Sequence, residues 1–500
     1  MKLYIFGHDY KYEVEALVRM FFHGVSIDVI TGEPPNNEAE NYVYTKAVRG
    51  GQSTALFVKA QLAGRTAEKS AELLNASHSF DAECERVFAV LLYDILTPLT
   101  GVKLSWGVLT GIRPVKFVHK FHSEGKTDDE IRDILEKKYL VTPQKTELLL
   151  QTAAKEAKVL SLSLPQSFSL YISIPFCPSR CNYCSFVSHD IEKAGKLVPQ
   201  YVELLIKEIA YTAELVKKMG LRLETIYFGG GTPTTLTAKQ LLDVMRAVSD
   251  GFDLSNLREY TVEAGRPDTI TKEKLEAIKQ MGATRISINP QTMNDSVLEA
   301  IGRRHTALQS VQAMSLARAV GHKSINMDII AGLPTDSYES FCDTMEKVIE
   351  LSPENITLHT LTVKRAATLT DDNSTEYKKQ SAVVAKMLNY AAMRFKAEGY
   401  SPYYLYRQKN TVDNMENVGY CKDGHEGLYN VFIMDETHSI IALGAGGVSK
   451  LRSPHSELIN RIFNYKFPYE YISRFDEILH RKDKISEFYV KNPYKIILKP

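Results

Sequence analysis

The stretch Pro175-Phe-Cys177-Pro-Ser-Arg-Cys181-Asn-Tyr-Cys184 places three of the six cysteines of the chain within eight positions. Thiolates are soft ligands that suit iron–sulfur clusters or zinc. A structural zinc site needs four ligands, and because the next cysteine, Cys342, lies far along the chain, His189 is the alternative fourth ligand. Three thiolates on one loop can instead hold three irons of a [4Fe–4S] cluster and leave the fourth iron open for a ligand. We favour this cluster over zinc, and zinc over a chance grouping of buried thiols.

Short apolar runs alternate with helical patterns around this loop. The runs are rich in β-branched residues and bounded by Gly, Pro or Asn, which is typical of buried strands. The predicted strands are Leu170–Phe176, Thr225–Phe228, Tyr260–Ala264, Arg285–Ile288, Ile325–Ile330 and Ile356–Val363. The predicted helices between them are Val202–Met219, Thr237–Val248, Lys272–Met281, Ser296–Ile301, Leu308–Val320 and Tyr338–Leu351. The alternation implies a parallel sheet with right-handed crossovers.

The length of these units favours an α/β fold with an incomplete (β/α)6 barrel. Six units over about 195 residues come close to the length per unit of a closed barrel, and a doubly wound open sheet is the alternative. We expect an N-terminal α+β domain over residues 1–165, the barrel over 166–365, and a C-terminal α+β domain over 366–500 that covers the barrel. The clearer N-terminal helices are Glu83–Leu96, Asp128–Lys138 and Lys145–Val159.

The composition is that of a globular protein, with 44% hydrophobic and 24% charged residues, and this excludes a disordered chain. The formal net charge of +1 argues against broad electrostatic capture of nucleic acid. No apolar run approaches the roughly 18 residues of a membrane span, and Gly7-His-Asp9 interrupts any signal-peptide core. Sparse cysteines favour a reducing compartment, so we expect a cytoplasmic protein.

Further polar motifs follow the predicted strands in chain order. They are Phe228-Gly-Gly-Gly-Thr-Pro233, Glu263, Asn289-Pro-Gln291, Gly302-Arg-Arg-His305 and Asn326-Met-Asp-Ile-Ile-Ala-Gly-Leu-Pro334. Parallel α/β barrels carry their active sites at the carboxyl ends of the strands. The motifs therefore predict one site at that end of the barrel, together with the cysteine loop.

The cysteine spacing after a first strand, with Tyr183 before the last cysteine, resembles the radical S-adenosylmethionine (SAM) superfamily. The resemblance implies that Cys177, Cys181 and Cys184 hold a [4Fe–4S] cluster whose open iron binds the amine and carboxylate of SAM. One electron from the cluster would then cleave SAM to methionine and a 5′-deoxyadenosyl radical.

The same resemblance implies roles for residues at the strand ends. The glycine turn would hold the SAM amino group, Arg303 would pair with the SAM carboxylate, a job suited to a planar fork of donors, and Asp328 would lie near the SAM ribose. The SAM-binding residues implied are Gly229, Gly230, Gly231, Thr232, Glu263, Gln291, Arg303 and Asp328, and Tyr171 is the candidate catalytic residue.

Longer motifs resemble the oxygen-independent coproporphyrinogen III oxidase group. Tyr171-Ile-Ser-Ile-Pro-Phe-Cys177 carries this likeness in the first strand, and Leu109-Thr-Gly-Ile-Arg-Pro114, Ser287-Ile-Asn-Pro-Gln291 and Glu416-Asn-Val-Gly419 are similar to its HemZ-type branch. The resemblance implies oxidative decarboxylation of two propionates of coproporphyrinogen III to the vinyl groups of protoporphyrinogen IX, in heme biosynthesis. Reduced flavodoxin or ferredoxin would donate the electron.

Two positions depart from the oxidase pattern. Ser173 stands where the oxidases carry a histidine, and Phe186 stands where they carry a further cysteine. A heme chaperone and a heme-modifying radical methyltransferase therefore remain alternative functions within the same group. A substrate with four carboxylates needs cations, and the candidates are Lys364, Arg365, Arg113 and Arg407.

Overall fold

The computed structural model describes residues 1–22, 24–35, 40–75, 79–184, 188–361, 373–408 and 414–494, with the backbone alone over 373–380. The described residues form two compact units. The first consists mainly of Met1–Ala153, and the second of Ala154–Leu361 with Val384–Leu405 and the chain from Asn417 onward. The division into domains at 1–165, 166–365 and 366–500 stays a prediction.

The first unit is an α+β structure around a mixed sheet. Its elements, with α5 running on into the second unit, are β1 (Lys2–Phe6), α1 (Lys11–Phe21), β2 (Asp28–Thr31), β3 (Tyr42–Arg49), β4 (Ser53–Leu62), β5 (Arg65–Leu74), α2 (Phe80–Thr100), α3 (Val115–Ser123), α4 (Asp128–Asp133) and α5 (Pro143–Leu160). The strand order is β2-β1-β3-β4-β5, with β1 parallel to its two neighbours and β3–β5 antiparallel. Leu17 of α1 and Phe88 of α2 share one apolar core with Val43 and Val58 of the sheet.

The predicted helix Asp128–Lys138 is interrupted. A capping box between Thr127 and Glu130 starts α4, as a threonine followed three residues later by a glutamate favours. The helix ends at Asp133, and Ile134–Lys138 continue as one π-helical turn.

The barrel elements of the second unit follow the predicted alternation. They are β6 (Ser167–Ile174), β7 (Phe176–Cys177), β8 (His189–Asp190), α6 (Ile191–Ala194), α7 (Val198–Lys218), β9 (Arg222–Gly230), α8 (Ala238–Gly251), β10 (Glu259–Gly265), α9 (Lys272–Gln280), β11 (Arg285–Gln291), α10 (Asp295–Ala300), α11 (Ala307–Val320), β12 (Ile325–Ala331), α12 (Tyr338–Glu350) and β13 (Asn355–Thr360). All six predicted strands are present, with ends that differ by a few residues.

The strand order decides between the two predicted architectures. Strands β6, β9, β10, β11, β12 and β13 pair in parallel and in chain order. A doubly wound sheet reverses its order partway, and this sheet does not, so the alternative is wrong. Among the described residues β13 and β6 do not pair with each other, which fits the predicted incomplete barrel.

The C-terminal part of the chain adds strands to both edges of the barrel sheet. Its elements are α13 (Asn373–Ala397), β14 (Ser401–Arg407), β15 (Glu416–Cys421), α14 (Leu428–Asp435), β16 (Ser439–Leu443), β17 (Val448–Arg452), β18 (Ile459–Phe463), α15 (Pro468–Ser473) and α16 (Phe475–Lys491). Strand β16 runs parallel to β6, and β15 runs antiparallel to β13. Within the described ranges, no helix combines the length and the hydrophobicity needed to cross a bilayer.

The two faces of the barrel strands differ in chemistry. On the helix side, residues such as Leu170, Ile226, Val262 and Ile286 join the helices in the main apolar core. Successive side chains of a strand point to opposite faces, so the residues between them form the inner face. On each of the six parallel strands, one residue of the inner face is partly exposed, and the residues next to it along the strand are buried. We name this set the inner ring; its members are Tyr171, Tyr227, Glu263, Asn289, Asp328 and His359.

Candidate active site

The cysteine loop begins directly where β6 ends. Cys177 belongs to β7, which pairs with β8 through Phe176 and His189. Cys181 is buried, Cys177 and Cys184 are half-buried, and none of the cysteines in the described ranges forms a disulfide. The loop therefore presents three thiols at the carboxyl end of the first barrel strand, where the sequence predicted them. Phe186, the second departure from the oxidase pattern, lies outside the described residues.

Arg266 holds this loop from below, and sequence reasoning missed it. One of its terminal nitrogens, Nη1, donates to the carbonyl and the hydroxyl oxygens of Ser179, at 3.1 and 2.7 Å, and lies 4.0 Å from the Sγ of Cys181. The other side of the guanidinium binds Asp268 with two bonds of 3.0 and 2.8 Å. A buried arginine in this fork geometry fixes the loop and brings positive charge beside the Cys181 sulfur. Its position directly after the third strand was the available signal.

The glycine turn is threaded between β6 and the cysteine loop. The N–H groups of Gly231 and Thr232 donate to the carbonyls of Ile174 and Phe176, both at 2.8 Å. The Thr232 hydroxyl lies 3.5 Å from the Sγ of Cys177. A Cβ atom at Gly231 would lie 2.6 Å from the Phe176 carbonyl oxygen and 2.9 Å from that sulfur. Only glycine allows this close approach of backbone to thiol.

Three tyrosines stack across the inner face below the turn. The Tyr171 ring lies 6.1 Å from those of Tyr227 and Tyr429, and the latter two lie 4.5 Å apart, all nearly parallel. Tyr171 and Tyr227 are inner-ring residues in register on β6 and β9, whereas Tyr429 comes from α14 far along the chain. Burial raises the pKa of Tyr171 well above its usual range, so the candidate catalytic residue is a protonated phenol.

Glu263 is the acid beside this stack. Its Oε1 accepts a hydrogen bond of 2.5 Å from the Tyr227 hydroxyl. Burial raises the pKa of Glu263 to about 7, against the lowering effect of that bond and with support from the nearby charge of Asp328. A Cβ atom at Gly229 would lie 3.3 Å from the same carboxylate oxygen, so the missing side chain keeps this space clear.

Asp328 is the second acid of the inner ring, and it ends a polar network over three strands. Its Oδ1 accepts from the Asn326 amide at 2.7 Å, and its Oδ2 lies 3.7 Å from the Nε2 of His359. The Asn326 amide is itself held by Ser287 and Thr357, at 2.7 and 2.9 Å. Although burial opposes ionisation, His359 and these hydrogen bonds place the pKa of Asp328 below its usual range.

Arg303 joins the end of β11 to the cysteine loop. Its terminal nitrogens donate to the Asn289 carbonyl at 3.2 Å and to the Tyr183 hydroxyl at 2.9 Å. In the described part of the chain its buried Nε has no hydrogen-bond partner. Gln291 ends the same strand in a left-handed conformation, φ 71°. Such strain in a residue other than glycine is concentrated at functional sites.

Ser173 is committed to the protein itself. Its hydroxyl donates to the Ala445 carbonyl at 2.8 Å, and its own carbonyl accepts from the Tyr201 hydroxyl at 2.7 Å. A Cβ atom at Gly444 would lie 2.5 Å from that carbonyl oxygen. The glycine-rich turn after β16 is thus fastened to the end of the first barrel strand.

Of the four predicted substrate cations, the structure describes two, and both belong to the first unit. Lys364 and Arg365 lie outside the described residues. Arg407 is buried in the first unit, where it donates to the backbone carbonyls of Leu109 and Asn414 and lies 5.1 Å from the Trp106 ring. Arg407 thus pairs with backbone carbonyls, and its role toward a substrate stays a prediction. Arg113 is half-buried in the same connector.

Comparison with known proteins identifies the family. The model of the radical SAM superfamily matches residues 171–348. The oxygen-independent coproporphyrinogen-III oxidase-like protein HemZ of Bacillus subtilis is 38% identical over 409 residues, which cover 81% of each chain. The heme chaperone HemW of Haemophilus influenzae is 29% identical over 61% of this chain and 75% of its own. The structure of coproporphyrinogen III oxidase (HemN) from Escherichia coli is similar at a TM-score of 0.48, with 21% identity, 65% of this chain covered and 73% of that one.

The chain therefore belongs to the radical SAM superfamily, and within it to the HemZ-type oxygen-independent coproporphyrinogen III oxidase-like proteins. Membership implies a [4Fe–4S] cluster and SAM. The residues present fit both groups, because three thiols form the donor set, the glycine turn leaves room that a Cβ atom would fill, and Arg303 keeps a buried donor unused.

Proposed function

We propose that this protein converts two propionates of coproporphyrinogen III to vinyl groups. Each conversion removes one hydrogen atom from the propionate β-carbon, releases its carboxyl group as CO2, and passes one further electron to an acceptor. The observation that carries the proposal is a ring of polar, partly exposed side chains on the inner face of the barrel strands, with three thiols in the loop that follows the first of these strands. The long match to HemZ supports the same reaction.

When bound, the cluster and SAM supply the 5′-deoxyadenosyl radical that takes this hydrogen atom. We assign Cys177, Cys181 and Cys184 to the cluster, and the backbone of Gly229–Gly231 with Thr232 to the SAM amino group. A planar guanidinium suits a carboxylate, so Arg303 would bind that of SAM through its unused Nε.

The inner ring would bind the rest of SAM and exclude water. Glu263 and Asp328 offer acceptors for its hydroxyl and amine groups, and Gln291 is the last residue of β11. The stack of Tyr171, Tyr227 and Tyr429 would form one wall of the site. Its phenols stay protonated at neutral pH because burial raises the pKa of each. Holding the reacting atoms in place is the main task that remains for the protein.

Product analysis tests this proposal. Anaerobically reconstituted protein is given SAM, a flavodoxin or ferredoxin reducing system, and either coproporphyrinogen III or heme, and products are followed by mass spectrometry. We expect 5′-deoxyadenosine and protoporphyrinogen IX with the first substrate. Cys181→Ala must abolish both products, while Cys342→Ala, a half-buried cysteine on α12, must retain them. Unchanged coproporphyrinogen in the presence of SAM cleavage contradicts the proposal.

A heme chaperone is the second candidate, and Ser173 favours it. The serine hydroxyl is bound to the Ala445 carbonyl, so the position of the oxidase histidine offers no free proton donor. The heme arm of the same experiment distinguishes the candidates. A chaperone binds heme tightly and leaves coproporphyrinogen unchanged, whereas a heme-modifying methyltransferase yields a heavier tetrapyrrole. A cytoplasmic location and flavodoxin or ferredoxin as electron donor belong to the proposal for all three.

A further inference from the structure

His359 is the member of the inner ring that neither the motifs nor the proposed function assigns. It lies on β13, two residues after Thr357 on the same face, at the carboxyl end of the last parallel barrel strand. Its side chain is 30% exposed, and that of its neighbour Asp328 is 19% exposed. A histidine that served only the core would be fully buried, whereas the side chain of His359 is partly exposed.

The contact between His359 and Asp328 is directional. Asn326 holds one oxygen of the carboxylate at 2.7 Å, and the imidazole Nε2 stands 3.7 Å from the other. That distance is too long for a hydrogen bond, so the imidazole acts on the carboxylate through charge. The two neighbours together leave the carboxylate one preferred orientation.

The rest of the ring explains why Asp328 needs such a neighbour. The titratable groups that face it from the other strands are Glu263 on β10 and the Tyr227 phenol on β9, and the inner side chains of β11, Ser287 and Asn289, do not titrate. Two carboxylates inside one enclosure repel each other, and a like charge favours protonation of one of them. Within the inner ring, His359 is the side chain whose interaction with Asp328 lowers the pKa of that carboxyl group.

We infer that His359 is a positioning residue that orients the Asp328 carboxylate toward the ribose hydroxyls of SAM. The inference rests on the proposed assignment of Asp328 to SAM. It predicts that removing the imidazole weakens SAM binding only as long as the carboxylate is present.

A double-mutant cycle tests this coupling. SAM binding to anaerobically reconstituted protein is measured by calorimetry for wild type, His359→Phe, Asp328→Asn and the double variant, with thermal unfolding recorded for each. We expect His359→Phe to weaken binding about tenfold in wild type and less than about twofold in the Asp328→Asn background. His480→Phe, which replaces a histidine that is 88% exposed on α16, must bind SAM as wild type does.

Each outcome bears on a different claim. If wild type fails to bind SAM, the proposed function fails and takes this inference with it. If wild type binds SAM but His359→Phe binds it equally well, or if the two effects simply add, His359 does not act through Asp328. If Asp328→Asn abolishes measurable binding, a 2′,3′-dideoxy analogue of SAM replaces that variant. The effect of His359→Phe must then nearly vanish with the analogue, and an undiminished effect overturns the inference.

Discussion

Two glutamates of the second unit differ in their surroundings, and the difference separates a structural role from a ligand-binding one. Glu208 on α7 is fully buried and lies 3.1 Å from the ammonium of Lys482, which is also fully buried. It accepts three further hydrogen bonds of 2.6–2.8 Å, from the Tyr471 hydroxyl, the Asn464 amide and the Gly444 N–H. Glu263 accepts one hydrogen bond from Tyr227, and its neighbours Asp328 and His359 shift its pKa in opposite directions.

The difference teaches where to look for function in this barrel. A buried carboxylate with every lone pair engaged is held in one state and fixes its surroundings. A mostly buried carboxylate with few partners keeps a shifted pKa and unused acceptors, which is typical of sites that bind a ligand. The Glu208 network also supports the site indirectly, because it holds Gly444 against the end of β6.

The largest predicted effect concerns Glu208, the glutamate whose hydrogen-bonding capacity is fully used. Lys482→Met leaves Glu208 charged and uncompensated in the core, and we expect a loss of about 3–5 kcal/mol in the free energy of unfolding. Denaturant unfolding measures it, with Lys484→Met, an exposed neighbour on α16, as the control. Equal stability of the two variants would contradict the contrast between the two glutamates.

The second prediction concerns Glu263 and the pH dependence of the free energy of unfolding. Its folded-state pKa is raised from 4.5 to about 7, so the folded protein binds more protons than the unfolded chain between these values. Stability from this group is therefore present below about pH 4.5 and falls as pH rises toward 7. Glu263→Gln removes this loss, so its stability relative to wild type should increase by about 3 kcal/mol across that window. The measurement is the free energy of unfolding of both proteins as a function of pH. Two curves that run parallel between pH 4.5 and 7 would show that Glu263 ionises normally.

The outer face of the barrel was predictable from the sequence, and the inner face only in part. Runs such as Ile325–Ile330 predict strands because the residues that pack against the helices must be apolar. The inner residues stand between them at every second position, so the same runs carried Asp328 and, in the last strand, His359. The motifs drew attention to Asp328, whereas nothing local distinguished His359 from any other histidine in a strand.

Residues that meet only through the fold were beyond sequence reasoning. Tyr429 joins the tyrosine stack from α14, and Lys482 reaches Glu208 from the last helix. Such contacts depend on how β16 and the segments around it pack beside β6, which no local pattern encodes. Arg266, in contrast, could have been found from the sequence, because it directly follows the third barrel strand. The motif at the end of that strand was assigned to Glu263 alone.

The third prediction concerns the glycine turn. Gly231→Ala forces a Cβ atom to within 2.6 Å of the Phe176 carbonyl and 2.9 Å of the Cys177 sulfur. Because both neighbours belong to the cysteine loop, we expect a loss of about 2 kcal/mol in stability together with a lower iron content. Gly195→Ala, at a helical glycine with open space around it, is the matched control and should retain its iron. An iron content in Gly231→Ala equal to that of the control would show that the cysteine loop accommodates the added methyl group and still holds the cluster.

The smallest predicted effect concerns Ser173 and tests whether its role is structural, like that of Glu208, or ligand-binding, like that proposed for Glu263. Its hydroxyl bonds the Ala445 carbonyl, which is in the turn that Glu208 holds at Gly444. Ser173→Ala should therefore lower the free energy of unfolding by about 1 kcal/mol, because it leaves a buried carbonyl unpaired. Ser315→Ala removes an equivalent bond from an exposed serine to a backbone carbonyl and should cost less. SAM cleavage should persist in both variants. Loss of SAM cleavage in Ser173→Ala at unchanged stability would show that Ser173 acts on the ligand and not on the scaffold. Ser173 would then serve in place of the histidine that the oxidases carry at this position.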